Sequence, residues 1–184
     1  MRVISGIAKG KRLMAPKGLE TRPTTDRVKE SIFSMINNYI IESNVLDLFS
    51  GTGSLGIEAI SRGANYGYFV DNNKNSIKVI NENIKTTGFE EKSEVLWSDT
   101  LNVIKQLGEN GKKINIIFMD PPYLKDLIVP CIEAIDSERL LDEEGIIVVE
   151  HDIKDNIPAE IGSLKKIKEK KYGNTRISIY TEEA

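Results

Sequence analysis

Five short apolar runs alternate with helically spaced segments between Asn44 and Glu150, and that alternation restricts the fold of this chain more than any other feature. The runs are 44–49, 66–71, 93–97, 114–119 and 145–150, with helical spacing over 54–62, 73–87, 100–109 and 126–136. Strands separated by crossover helices pair in parallel, and a parallel sheet must be covered on both faces. The expectation is therefore an α/β domain. Two further runs, 164–171 and 175–181, flank Tyr172-Gly173-Asn174 and predict an antiparallel hairpin that closes the sheet.

The segment ahead of this pattern has a different character. Residues 2–8 and 11–15 predict two short strands around Lys9-Gly10, followed by a turn at Pro16-Lys17-Gly18. From Thr25 to Ile40, Val28, Ile32, Met35/Ile36 and Tyr39 recur at helical spacing, with Thr24 or Thr25 available as caps and Asp26 in the first turn. The division that follows is a β-hairpin extension over 1–24 and a domain over 25–184.

At 184 residues the chain has room for one domain. Its longest apolar runs are far shorter than the roughly 20 residues of a membrane-spanning helix. The Met-Arg-Val-Ile-Ser-Gly opening lacks the apolar core of a secretory signal, so the predicted location is the cytoplasm. One cysteine (Cys131) and one histidine (His151) supply neither an internal disulfide nor a zinc site of such ligands, and no metal is expected. The net charge of −3 conceals an uneven distribution. Residues 1–30 carry eight basic side chains against three acidic ones, and residues 154–176 carry seven against three. If the fold gathers the two ends, they make a positive field suited to a polyanion. Lys9, Lys11 and Arg12 are the candidate polyanion-binding residues.

Residues 45–56 read Val-Leu-Asp-Leu-Phe-Ser-Gly-Thr-Gly-Ser-Leu-Gly, a strand entering a glycine turn and then a helix. Gly51, Gly53 and Gly56 satisfy G-x-G-x-x-G, and Asp71 lies 20 residues beyond Gly51 at the end of the next strand. That fingerprint alone is compatible with a dinucleotide. Asp47 changes the reading, because a carboxylate at the end of the first strand repels a pyrophosphate and attracts an ammonium and a sulfonium. S-adenosylmethionine therefore fits better than NAD. Asp71 is then the acceptor for the ribose hydroxyls, and Asp99, just after the third strand, the acceptor for the adenine amine.

The second motif is Asp120-Pro121-Pro122-Tyr123, at the carboxyl end of the fourth strand, where open α/β sheets bind ligands. The lone pair of an exocyclic amine on a base is delocalised into the ring. A site that methylates it must accept its N–H hydrogens and turn the lone pair toward the donor. The Asp120 carboxylate and the Pro121 carbonyl supply the acceptors, and two prolines make the turn rigid while removing two competing N–H donors. Tyr123 can stack on the base, which must be unpaired or flipped to enter.

With both motifs in place the chain resembles the class I, Rossmann-like S-adenosylmethionine-dependent methyltransferases of the amino-methylating group. Residues 22–33 (Arg-Pro-Thr-Thr-Asp-Arg-Val-Lys-Glu-Ser-Ile-Phe), 45–64 and the Asp-Pro-Pro-Tyr block are similar to the RsmD family, as are the opening Met-Arg-Val-Ile-Ser-Gly and Lys-Gly-Lys-Arg-Leu. The resemblance covers nearly the whole chain. One departure is Ser50-Gly51-Thr52, where Ala and Ser are the commoner residues. The resemblance implies a seven-stranded, mostly parallel sheet with an N-terminal β-hairpin. It also implies methylation of the N2 amine of a guanine in a loop of 16S rRNA, in a 30S subunit or assembly intermediate, by a monomer. It places Arg22, Thr24 and Thr25 at the cofactor's methionine end, Asp47, Gly51 and Gly53 around the methyl donor, Asp71 at the ribose, Asp99 at the adenine and Asp120 to Tyr123 at the guanine, with Phe49 and Asn72 as further cofactor-binding residues. With the resemblance added, the polyanion expected at Lys9, Lys11 and Arg12 is RNA, and these are the candidate RNA-binding residues.

His151, Trp97 and Cys131 are given no role, the last two being read as core residues. The competing readings are a DNA adenine-N6 methyltransferase, a non-catalytic RNA-binding module of the same fold and an NAD-dependent oxidoreductase. Too little chain remains for the target-recognition domain of the first, the intact Asp120 and Tyr123 disfavour the second, and Asp47 disfavours the third.

Overall fold

The computed structural model describes residues 1–16, 25–123 and 126–183. Its elements alternate as the apolar runs require: α1 (Asp26–Met35), α2 (Asn37–Ile40), β1 (Asn44–Leu48), α3 (Ser54–Ser61), β2 (Tyr66–Asp71), α4 (Lys74–Thr87), β3 (Ser93–Trp97), α5 (Thr100–Glu109), β4 (Ile114–Met119), α6 (Ile128–Ser137), β5 (Leu141–Asp152), β6 (Glu160–Ile161), β7 (Leu164–Tyr172) and β8 (Thr175–Glu182). The strand order is β3-β2-β1-β4-β5-β8-β7-β6, parallel from β3 to β5 and antiparallel beyond. The chain is thus an α/β fold of the expected class. The sheet has eight strands rather than seven, because Glu160–Ile161 adds a two-residue edge strand too short to produce a periodic signal.

Alternate residues of each strand face opposite layers. Val45, Phe69, Ile116, Phe118, Ile146 and Val148 pack under α1, α3 and α4, whereas Leu46, Leu48, Val70, Ile117, Met119, Ile147 and Val149 pack under α5 and α6. Two buried faces explain why the strands read as continuous apolar runs. Cys131 is buried in the second layer, as its helical neighbours predict. No helix among the described residues is long and apolar enough to cross a membrane.

Three local expectations are revised. The helix expected over 25–40 breaks at Ile36, whose φ of −109° and ψ of 12° leave helical geometry. The strand expected over 145–150 begins earlier, at Leu141, past a register shift against β4. The N-terminal hairpin is reduced to a single bridge, Arg2 with Arg12. The Glu58 carboxylate accepts the N–H groups of Ile4 and Ser5 at 2.9 Å each, so these residues pair with α3 instead of with a second strand. Gly6, at φ +84°, lies so close to the Ser61 carbonyl that a Cβ would stand 1.8 Å from its oxygen. Val3, Ala8 and Leu13 join the α1/α3/α4 core layer.

The clamp on this segment is a buried ion pair. Lys29 of α1 and Glu58 of α3 are both fully buried, 3.2 Å apart, and the Lys29 ammonium also donates to the Arg2 carbonyl (2.7 Å) and Ser54 Oγ (3.1 Å). Arg62 donates to the other Glu58 oxygen at 2.9 Å and lies over the Phe33 ring. Burial pulls the Lys29 pKa down, and the Glu58 charge opposes that shift.

Candidate active site

The strand order reverses between β1 and β4, and ligands of open α/β sheets bind outside the carboxyl ends of the strands at such a point. Asp47, Phe69, Phe118 and Val148 stand level across β1, β2, β4 and β5. Two residues further along, the same alternation brings Asp71, Asp120 and Glu150 to the face shared with Asp47. Four carboxylates from four adjacent strands therefore line one rim of the sheet.

Asp47 is buried, and its Oδ2 accepts the N–H of Gly56 at 3.0 Å, which caps α3 across nine residues because Gly53 offers no side chain for the purpose. Burial pushes its pKa up to about 8, opposed by the Gly56 hydrogen bond and assisted by the Asp71 charge. The turn after β1 places Phe49 at φ 57°, Gly51 at 59° and Gly53 at 76°. A left-handed aromatic residue is strained and persists only where its surroundings hold it. Here Ser50 does so: its N–H and Oγ bond the Val70 carbonyl and N–H, while Oγ also donates to the Asp47 carbonyl. A Cβ on Gly51 would meet nothing within 4 Å, so the backbone faces open space there, whereas Gly56 abuts the Phe69 ring.

Asp71 secures the same turn from β2. Its Oδ2 accepts from Gly51 N–H (2.9 Å) and its Oδ1 from Asn73 N–H (2.8 Å). A carboxylate has about four acceptor sites, so capacity remains for hydroxyls. Asp99 is the N-cap of α5, with Oδ1 accepting from Leu101 and Asn102. Trp97 overturns its reading as core: it is 61% exposed and its indole N–H donates to the Asn72 carbonyl at 3.1 Å, beside the expected ribose and adenine positions. Its place at the end of a strand, two residues before Asp99, was the available signal.

Asp120 follows β4 directly. Burial and the neighbouring Glu150 and Asp47 carboxylates hold its pKa well above the usual range. Pro121 is buried, while Pro122 and Tyr123 are exposed. Tyr123 bonds the Thr175 side chain, and burial with the Glu150, Asp120 and Asp152 charges raises its pKa. Glu150, absent from the sequence-based candidates, is buried at the end of β5. Thr25 caps α1 through Val28 N–H (3.3 Å) and lines a cavity with Tyr123 and Glu150. Arg22 and Thr24 lie outside the described residues, as do Lys17 and Gly18 of the turn expected at 16–18.

His151 stays out of the site. It is buried, with Nε2 at 2.9 Å from Ser178 Oγ and Nδ1 at 3.0 Å from the Asp152 carbonyl, and burial lowers its pKa. Among the described residues no group of three or more His, Cys, Asp or Glu is arranged to hold a metal ion. Lys9, Lys11 and Arg12 are exposed on the N-terminal segment, and Asn83 ties the end of that segment to the glycine turn, bonding Met14 and the Thr52 carbonyl.

Comparison with known proteins identifies the family. The family model described as "Conserved hypothetical protein 95" matches residues 1–181. YlbH of Bacillus subtilis is 41% identical over 180 residues, which are 98% of each chain. Ribosomal RNA small subunit methyltransferase D of Escherichia coli is 29% identical over all of this chain and 91% of its own length. The solved structure of yhhF from Escherichia coli superposes with a TM-score of 0.85 at 30% identity, over 100% of this chain and 98% of that one. A match that spans the sequence motifs, the glycine turn and the C-terminal hairpin alike shows that the chain belongs to the RsmD family of methyltransferases.

Proposed function

We infer that the protein methylates ribosomal RNA with S-adenosylmethionine, and that the acceptor is the exocyclic N2 amine of a guanine in 16S rRNA within a 30S subunit or its precursor. The observation that carries this reading is the rim of carboxylates with Asp-Pro-Pro-Tyr at the point where the strand order reverses. The residues fit the cofactor. Asp47 is a buried carboxylate that meets the Gly56 N–H and the negative charge of Asp71, and the backbone at Gly51 is open to close approach. Asp47 would hold the ammonium end, Asp71 the ribose and Asp99 the adenine. When bound, the cofactor supplies an electrophilic methyl group on a positively charged sulfur.

The chain's own residues do the rest. Asp120 and the Pro121 carbonyl accept the amine hydrogens and orient the nitrogen lone pair. Tyr123, held by Thr175, offers a ring for stacking. Methylation makes the amine proton acidic, and Asp120 in its ionised form takes it, with a proton affinity raised by burial and by the neighbouring Glu150 and Asp47 carboxylates. This is general base work by position, with electrostatic orientation ahead of it.

The test is transfer of labelled methyl from S-adenosylmethionine to 30S particles, naked 16S rRNA and duplex DNA, with the product nucleoside identified by mass. N2-methylguanine from ribosomal substrate supports the reading, and N6-methyladenine in DNA overturns the substrate. Asp120→Ala should abolish turnover with cofactor affinity nearly intact. Equal loss of both would reassign Asp120 to the cofactor.

A further inference from the structure

A cavity of about 380 Å³ opens between the start of α1 and the turn joining β7 to β8. Tyr123 and Glu150 line it from the catalytic side, Tyr172 and Thr175 from the hairpin, and Arg27 and Lys171 stand at its rim as exposed cations. Tyr172 is anchored at that position by the Ser31 side chain and by packing against the α1 layer. The space is sized for one nucleoside, with aromatic rings on two sides and positive charge where the flanking phosphates would pass.

We propose that this cavity receives the extruded target guanosine, that Glu150 selects guanine by accepting its N1–H, and that Arg27 and Lys171 hold the flanking phosphates. The inference rests on the guanine-N2 reading above and assigns the base selection within it. Guanine presents three hydrogens in a row, N1–H and the two of N2, more than any other base edge. Adenine instead presents the N1 lone pair beside its amine. The sheet register sets Glu150 beside Asp120 on the same face, and the two charges act on one another. Guanine satisfies both carboxylates at once, with the amine on Asp120 and N1–H on Glu150. Adenine would aim a lone pair at Glu150. A carboxylate has about four acceptor sites and can bond several donors at once. The site is thereby selective through a repulsive element as well as an attractive one.

The experiment uses full-length protein, labelled S-adenosylmethionine and 30S particles from cells lacking the enzyme, bearing either guanine or adenine at the methylated position. Glu150→Gln, close in volume, should lower kcat/KM on the guanine particle about 10- to 100-fold. It should also narrow the guanine-to-adenine ratio by about tenfold or more, because the amide can donate to adenine N1, while cofactor Kd measured by calorimetry stays within about twofold. An unchanged kcat/KM and an unchanged ratio would overturn the role of Glu150. The double variant Arg27→Gln/Lys171→Gln, altered only at exposed side chains, should raise KM for the particle with kcat retained. It should also reduce the salt slope of binding by about 1.4, the value for two single-strand phosphates. An unchanged KM and slope would overturn the cavity as the nucleotide's place. A wild-type product other than N2-methylguanine, seen before any variant is made, would overturn the underlying reading and the inference with it.

Discussion

Asp47 carries the most consequential single charge of the site, and its chemistry is set by burial. In the free protein its pKa stands at about 8 against an unfolded value of 3.8. The folded state therefore holds a proton that the unfolded state has lost between those two values. Stability from this group is fully present below pH 4 and falls as pH rises toward 8, by a few kcal/mol. Asp47→Asn should accordingly stabilise the free protein at pH 8 while abolishing high-affinity cofactor binding; urea midpoints and calorimetry measure the two effects. A cation beside Asp47 reverses the balance and expels the proton. Cofactor binding at pH 7 should release about one proton, and affinity should rise up to about tenfold per pH unit until pH 8. Calorimetry in buffers of different ionisation enthalpy reads that number directly. The Asp47 position at a strand end was legible from four residues of spacing, but its burial was not, because α3 and the turn that cover it are placed by β2.

At the scale of elements, α1 and α3 hold the N-terminal segment through a charge pair with no exposure to solvent. Removing one partner of such a pair leaves the other uncompensated and costs about 3–5 kcal/mol. Glu58→Ala should fall in that range by urea denaturation, since it also orphans the N–H groups of Ile4 and Ser5. Protease cleavage within residues 1–13 should appear before global unfolding. Gly6→Ala should release the same segment, because its Cβ has no place beside Ser61 and its φ is left-handed. The helices and strands of the central domain were legible because their periodicities are local. Lys29 and Glu58 lie on different helices and share no local pattern. Only the approach of α1 to α3 makes them partners.

Across the whole molecule, the two basic ends of the chain meet at the start of α1. Arg2 pairs with Asp26 at 3.2 Å, and Arg27 shares the cavity with Lys171 of β7. Several C-terminal cations are locally neutralised: Lys165 by Glu160 and Glu183, Lys166 and Arg176 by Glu169. Lys9, Lys11, Arg12, Arg27 and Lys171 are exposed cations. Replacing Lys9, Lys11 and Arg12 with glutamine should weaken rRNA binding and lower the slope of log affinity against log salt by about 2 to 3. Filter binding between low and moderate salt checks it, and a wild-type slope would remove this segment from the interface.

Each strand of the β/α alternation, the glycine turn and Asp-Pro-Pro-Tyr follows from neighbours within a few residues, so the sequence by itself determined the fold class and the family. The tertiary structure decided what depends on strand order and register. Pairing β4 with β5 sets Glu150 beside Asp120, and inserting β8 next to β5 brings Thr175 to Tyr123. The end of β3 leaves Trp97 facing solvent beside Asn72. These residues are tens of positions apart and share no local pattern; only the sheet that stacks their strands edge to edge makes them one site.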